Sequence, residues 1–216
     1  MDKKLTIMVS STVYGVEELL DRVYTLLTAF GYEVWMSHKG TVPVFSTESA
    51  FKSCLAAVEK CDLFLGIITA QYGSGKEREE DALSITHQEI RKAIERDKPR
   101  WFLAHDQVVF GRRLLADLGY KNRDERKKLK LKPGAKSIED LRVFDMYEDA
   151  IRTPEMDGLL IEDRVGNWVQ KFDRDDDANL FVVAQFSRYQ DVEQRLREHF
   201  ENPQLIEKIL NGGGDE

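Results

Sequence analysis

Apolar runs and stretches of helical spacing alternate along the first half of the chain. Leu5–Val9 (LTIMV) has no polar alternation, the pattern of a strand covered on both faces, and "SSTVYG" then breaks it. From Val16 to Phe30 the apolar residues Val16, Leu19, Leu20, Val23, Leu26, Leu27 and Phe30 recur in steps of about three and four, and Gly31 closes this helix. The order repeats with a strand at Tyr32–Met36 and a helix at Glu48–Glu59. Leu63–Thr69 (LFLGIIT), the most apolar run, is expected to be the central strand. After the loop Ala70–Leu83 come the helical stretch "SITHQEIRKAIERDKP" (Ser84–Pro99), a strand at Arg100–Ala104 and an amphipathic helix at Gln107–Leu118.

Strands alternating with helices predict an α/β fold: a doubly wound, mostly parallel sheet with right-handed crossovers and helices on both faces. Past Gly119 the pattern loosens. A strand is read at Arg142–Tyr147 and another at Trp168–Phe172, while Phe181–Phe186 fits either a strand or a helix. "SRYQ" (Ser187–Gln190) has the capping-box form, with Val192, Leu196 and Phe200 following at helical steps, and "NGGGDE" reads as a frayed tail. The division expected is an α/β domain over 1–118 and a C-terminal α+β extension over 119–216 that packs on it and ends in a helix.

Composition adjusts this picture little. The 216 residues, 42% hydrophobic and 33% charged, suit one domain with an elaborated end. No run reaches the roughly 20 apolar residues of a membrane span, and no signal-peptide pattern precedes the first strand, so a cytoplasmic protein is expected. A net charge of −7 argues against a general nucleic-acid binder, although "KNRDERKKLKLK" (Lys121–Lys132) holds seven basic and two acidic residues; it reads as a solvated loop, with a phosphate-binding patch as the alternative. Cys54 and Cys61, seven positions apart in or beside one helix, are too distant for a disulfide and read as buried thiols.

In such a sheet, ligands bind beyond the carboxyl ends of the strands. The loops that matter are therefore Ser10–Gly15, Ser37–Ser46, Ala70–Leu83 and His105–Asp106. Ser10, Ser11 and Thr12 offer hydroxyls and backbone N–H groups for a phosphate or ribose, or simply cap the first helix. "YGSGK" is not a Walker A motif, because Ala70 occupies the first glycine position and Glu77 follows Lys76. Neither G-x-G-x-x-G nor G-x-S-x-G is present, and the four histidines lack metal-ligand spacing, so no metal site is expected.

Glu89 is the anomaly. At about 100° per residue from Ile85 it falls near 40°, inside the arc of Ala93, Ile90 and Ile94, while Gln88, Arg91, Lys92 and Glu95 take the opposite face. Three readings stay open: a T-x-x-E capping box with Thr86, an ion pair with a core-edge arginine such as Arg100, or a carboxylate facing a ligand.

The segments "IMVSST", "ELLDRVYTLLTAFGYEVW", "CLAAVEKCDLFLGIITAQYGSG" and "SITHQEIRKAIERDKPRWFL" together resemble the domain-of-unknown-function 4062 family across about Leu5–Leu118. That family is similar to TIR domains and nucleoside 2-deoxyribosyltransferases. The resemblance implies a flavodoxin-like sheet and a glutamate, by position Glu89, that acts on an N-glycosidic bond as nucleophile or as stabiliser of an oxocarbenium-like centre. It further implies that Ser10 and Ser11 hold ribose hydroxyls or phosphate and that Tyr72 or Trp35 stacks on a base. The ligand implied is NAD or another nucleoside or nucleotide, with no cofactor required. The setting implied is prokaryotic signalling or defence, with self-association or a partner signalling protein, or a non-catalytic sensing module on the same cleft. The D-x-G-T pattern of the deoxyribosyltransferases is not found before Glu89.

Overall fold

The computed structural model describes residues 4–73, 82–151 and 167–193. Five parallel strands, β1 (Thr6–Ser11), β2 (Glu33–Met36), β3 (Leu63–Ile68), β4 (Arg100–His105) and β5 (Trp168–Phe172), form one sheet in the order β2-β1-β3-β4-β5. This is the flavodoxin-like strand order, with its reversal of direction between β1 and β3. β3, buried along its whole length, is the central strand, as its composition predicts.

The two-residue period of each strand divides the core. Ile7 and Val9 of β1 and Leu63, Leu65 and Ile67 of β3 pack against α1 (Glu17–Ala29) and α7 (Asp175–Phe186). Met8, Phe64, Ile68 and Phe102 face the other way, against α2 (Ala50–Lys60), α3 (Ile85–Glu95), α4 (Asp106–Asp117) and α6 (Arg142–Ile151). Ser10 continues the Met8 face and therefore looks toward α3. In the sheet, Gly66 lies between Ser10 and Phe102. A Cβ on Gly66 would come within 2.7 Å of the Phe102 ring and 3.3 Å of the Phe64 ring. Gly66→Ala is expected to lower stability by about 1–3 kcal/mol through this overpacking, read as a shift in the midpoint of denaturant unfolding without a change in slope.

Gly31, at φ +95°, follows the C-cap of α1 as expected. The strand expected at Arg142–Tyr147 is instead the first part of α6. Val143, Met146, Tyr147 and Ala150 stand at i, i+3, i+4 and i+7, so one helical stripe reaches the core where a strand would have buried only alternate residues. The opposite stripe, Asp145, Glu148 and Asp149, receives the basic segment. α5 (Arg123–Arg126), capped by Asn122 in a capping box, turns Arg126 inward, where it is 3% exposed and hydrogen-bonded to Asp145 at 2.6 Å and Glu148 at 2.5 Å. Arg123 meets Asp149. Part of this segment is therefore an internal ion-pair layer rather than a solvated loop.

Phe181–Phe186 is helical, within α7. Ser187 keeps right-handed helical backbone as the C-cap of α7 (φ −61°, ψ −28°), not the extended backbone of an N-cap. The chain is helical again over 189–193, and the remainder of the expected helix and the tail lie outside the described residues. Both cysteines are free and buried. Among the described residues no helix is long and apolar enough to cross a membrane.

Candidate active site

The position of Glu89 follows from where α3 begins. Ser84 is the N-cap: its backbone is extended (φ −62°, ψ 158°) and its Oγ accepts a hydrogen bond from the His87 N–H at 3.3 Å. Thr86 is thus inside the helix and the capping box with Glu89 does not form. Nor does Arg100 pair with Glu89, because its guanidinium is engaged by Asn167, Asp97 and the Lys98 carbonyl at the start of β4. Glu89 lies a full turn into α3, 3% exposed, and points at the end of β1, where the Ser10 hydroxyl donates to Oε2 at 2.5 Å.

Its second oxygen, Oε1, is buried and accepts no hydrogen bond of ordinary geometry. Burial pushes the Glu89 carboxyl up to about 7, against the opposing pull of Ser10 and the neighbouring Cys54 thiol. The unfolded chain, with its carboxyl near 4.5, releases that proton earlier. The folded state therefore has its greatest advantage from this group below about pH 4.5 and loses it as the pH rises towards 7, a change on the order of 3 kcal/mol. Relative to Glu89→Gln, which stays neutral, the native protein is expected to lose stability across that window, as read by unfolding midpoints at pH 4.5 and 7.5.

Glu89 forms part of the floor of a cavity of about 490 Å³ at the carboxyl end of β1, next to the β1/β3 switch point. Ser10, Ser11 and Thr12 line it, as the sequence suggested, together with Tyr14, Met36, Ser37, His38, Cys54, Gly73 and Thr86. The Thr12 and Thr69 hydroxyls are hydrogen-bonded at 2.7 Å and tie the ends of β1 and β3 together. Gly73, at φ +89°, lets the β3–α3 connection lie against β1; a Cβ there would come within 2.6 Å of Thr12 Cγ2.

Two expected base-stacking residues are not part of this cavity. Tyr72 is 1% exposed in the core; its hydroxyl bonds His87 Nδ1 at 2.8 Å, its ring meets the His87 ring edge-on, and the Arg142 guanidinium lies 4.8 Å from its centroid. Trp35 packs on the α2/α3 side of the sheet and donates its Nε1–H to Glu33 at 2.9 Å. The aromatic ring that does line the cavity is Tyr14, an exposed residue in "SSTVYG". Residue type gave no reason to prefer it, but its place in the first loop was a usable signal. The same holds for His38, in the loop that follows β2.

The far side of α3 is anchored differently. His87, 1% exposed, donates from Nε2 to Asp149 Oδ2 at 2.8 Å, leaving Nδ1 to accept from Tyr72. Burial works to raise the Asp149 carboxyl, but the His87 hydrogen bond and the Arg123 charge outweigh it and hold the group below its ordinary range. One helix thus carries Glu89 into the cavity and His87 into a fixed contact with α6. His87, dismissed as a metal ligand, is a core histidine with both nitrogens satisfied, and no cluster able to hold a metal occurs among the described residues.

Comparison with known proteins gives the following likenesses. The chain is similar to a Clostridium botulinum CMP N-glycosidase (20% identity, 47% of this chain and 72% of that chain, TM-score 0.31). It is similar to the TIR domains of the activated Roq1 resistosome (12%, 57% and 68%, 0.41). It is also similar to a 2-desoxiribosyltransferase from Leishmania mexicana (12%, 68% and 97%, 0.37). No curated protein matches it. A family described as a domain of unknown function, DUF4062, matches residues 6–201, nearly the whole chain, and the protein belongs to that family.

Proposed function

We propose that this protein acts on the N-glycosidic bond of a ribosyl compound, a nucleoside, a nucleotide or NAD, by hydrolysis or transfer, with Glu89 at the reacting centre. One observation carries this reading: a buried carboxylate with one oxygen fixed by Ser10 and the other unpartnered, on the floor of a cavity at the sheet's carboxyl edge. Such an oxygen is costly to bury without a purpose, since an unpaired ionised group in an apolar setting loses its hydration. As the bond between C1′ and the base nitrogen breaks, positive charge develops on C1′, and a preorganised, poorly hydrated carboxylate stabilises it far more than water would. Ser10 holds the carboxylate in one orientation. In this reading Ser11 and Thr12, which line the cavity, bind ribose hydroxyls or a phosphate, and no metal or cofactor takes part.

The test is release of free base from NAD, cytidine 5′-monophosphate and a panel of nucleosides, followed by chromatography of the products. Release from at least one compound supports the reading; none from any of them rejects it. A non-catalytic sensing role is the second reading. It is favoured by the high proton affinity of Glu89, which leaves much of the group neutral at pH 7. That role would show as ligand-induced thermal stabilisation without product. The signalling or defence setting, and self-association or a signalling partner, rest on the family resemblance.

A further inference from the structure

We infer that His38 is a second catalytic group of the same cavity, a general base for the attacking water, held in position by Asp21; this rests on the glycosidic reading above. His38 lines the cavity with Glu89, in the turn Ser37–Lys39 that directly follows β2. Its Nε2 is 3.0 Å from Asp21 Oδ1 on α1. Lys39 reaches the same oxygen at 2.5 Å, and the hydrogen bond it supplies, with that of His38, keeps the Asp21 carboxyl below its ordinary value. An ionised carboxylate only accepts, so Nε2 carries the hydrogen and donates it. In neutral His38 the remaining lone pair is therefore on Nδ1.

The arrangement is that of a base with an orienting carboxylate, and it shares a cavity with a group suited to a cationic centre. The turn that carries His38 also touches the neighbour of Glu89: the Ser37 hydroxyl lies 3.8 Å from Cys54 Sγ, and Cys54 in turn adjoins Glu89. The titratable groups bonded to His38 or sharing its cavity are Asp21 from α1, Lys39 from its own turn, Tyr14 from the loop after β1, and Cys54 and Glu89 from α2 and α3. Burial pushes the Cys54 thiol up, so it stays protonated and does not compete as a base.

In the step inferred, the C1′–N bond breaks and its electron pair leaves with the base. The water oxygen bonds to C1′ opposite the charge held by Glu89. One water proton passes to His38 Nδ1; a base that leaves as an anion, as from cytidine 5′-monophosphate, takes that proton on its nitrogen, whereas nicotinamide leaves NAD neutral and the proton passes to solvent, so that water is consumed and the ribosyl product and free base are formed. Asp21 is a positioning residue: it fixes the tautomer and the plane of the imidazole and offsets the charge that His38 gains.

The test uses the full chain with NAD and cytidine 5′-monophosphate, comparing the native protein with His38→Gln, His38→Asn, Asp21→Asn, Asp21→Glu and Glu89→Gln. Both His38 variants are expected to lower kcat by about 100-fold with little change in KM. Asp21→Asn is expected to give a kcat loss nearer tenfold at unchanged KM, and Asp21→Glu to restore part of it; a role confined to folding would lower the melting temperature and leave kcat per folded molecule unchanged. Native-like melting of the variants excludes misfolding as the cause. If the His38 variants keep the native kcat, or change KM alone, while Glu89→Gln is inactive, the His38 assignment is overturned and the Glu89 reading stands. If the native protein releases no base, both fall.

Discussion

Glu89→Gln is expected to remove base release almost completely, by at least about 10³-fold in kcat, while leaving a folded protein that is no less stable at neutral pH. Glutamine keeps the shape of the side chain and a carbonyl oxygen able to accept the Ser10 hydroxyl's hydrogen bond. It also ends the cost of a buried charge, since burial is what pushes this carboxyl up to about 7. The signs are therefore opposed: activity falls while stability at pH 7.5 is kept or raised. A loss of stability together with activity would mark Glu89 as a structural residue. Retained activity would mean that the reacting group lies elsewhere. Activity is read as base released, and stability by unfolding, on the same sample.

Arg126→Ala is expected to have the largest effect on stability of any surface-segment substitution, a loss of about 3–5 kcal/mol. The guanidinium is 3% exposed and bonds two half-buried carboxylates, Asp145 and Glu148, as well as the Lys121 carbonyl. Removing it leaves both acids beside each other on α6 with weaker partners. Arg112 still reaches Glu148 at 2.9 Å and Arg123 lies 3.9 Å from Asp145, which keeps the loss toward the lower end of that range. If the stranded charges are the cause, changing all three residues together to apolar ones of similar size must recover most of the loss. A triple variant as unstable as the single one would point instead to lost packing of the Arg126 stem.

The contrast between these two sites shows what could be read from residue order. The first four strands and four helices begin within about two residues of where the apolar periodicity puts them, because each is a local pattern completed by the same sheet, although α3 stops at Glu95, four residues before the expected end at Pro99. Arg142–Tyr147 was misread because "RVFDMY" is apolar at both two-residue and four-residue steps, and only Ala150, beyond the stretch considered, separates a helix from a strand. The depth of Glu89 is visible from angular spacing alone. Its partner is not, since Ser10 lies 79 residues away and the pairing depends on β1 and β3 being neighbours. The family resemblance implies base stacking by Tyr72, yet His87, fifteen residues on, draws the ring inward. Arg126 was hidden among basic residues that do stay exposed.

The hold of His87 on Asp149 has a consequence for anyone reassembling the molecule from parts. The helix that presents Glu89 is clamped from behind by a residue contributed long after position 118. A segment ending there would uncover the apolar residues of α3, α4 and β3 on which α6 packs and leave His87 Nε2 without its carboxylate acceptor. A transplant of the cavity into a foreign scaffold must therefore carry α6 with it, or supply a substitute brace. Otherwise the carboxylate would sit on a helix free to rock, and its aim at Ser10 would be lost.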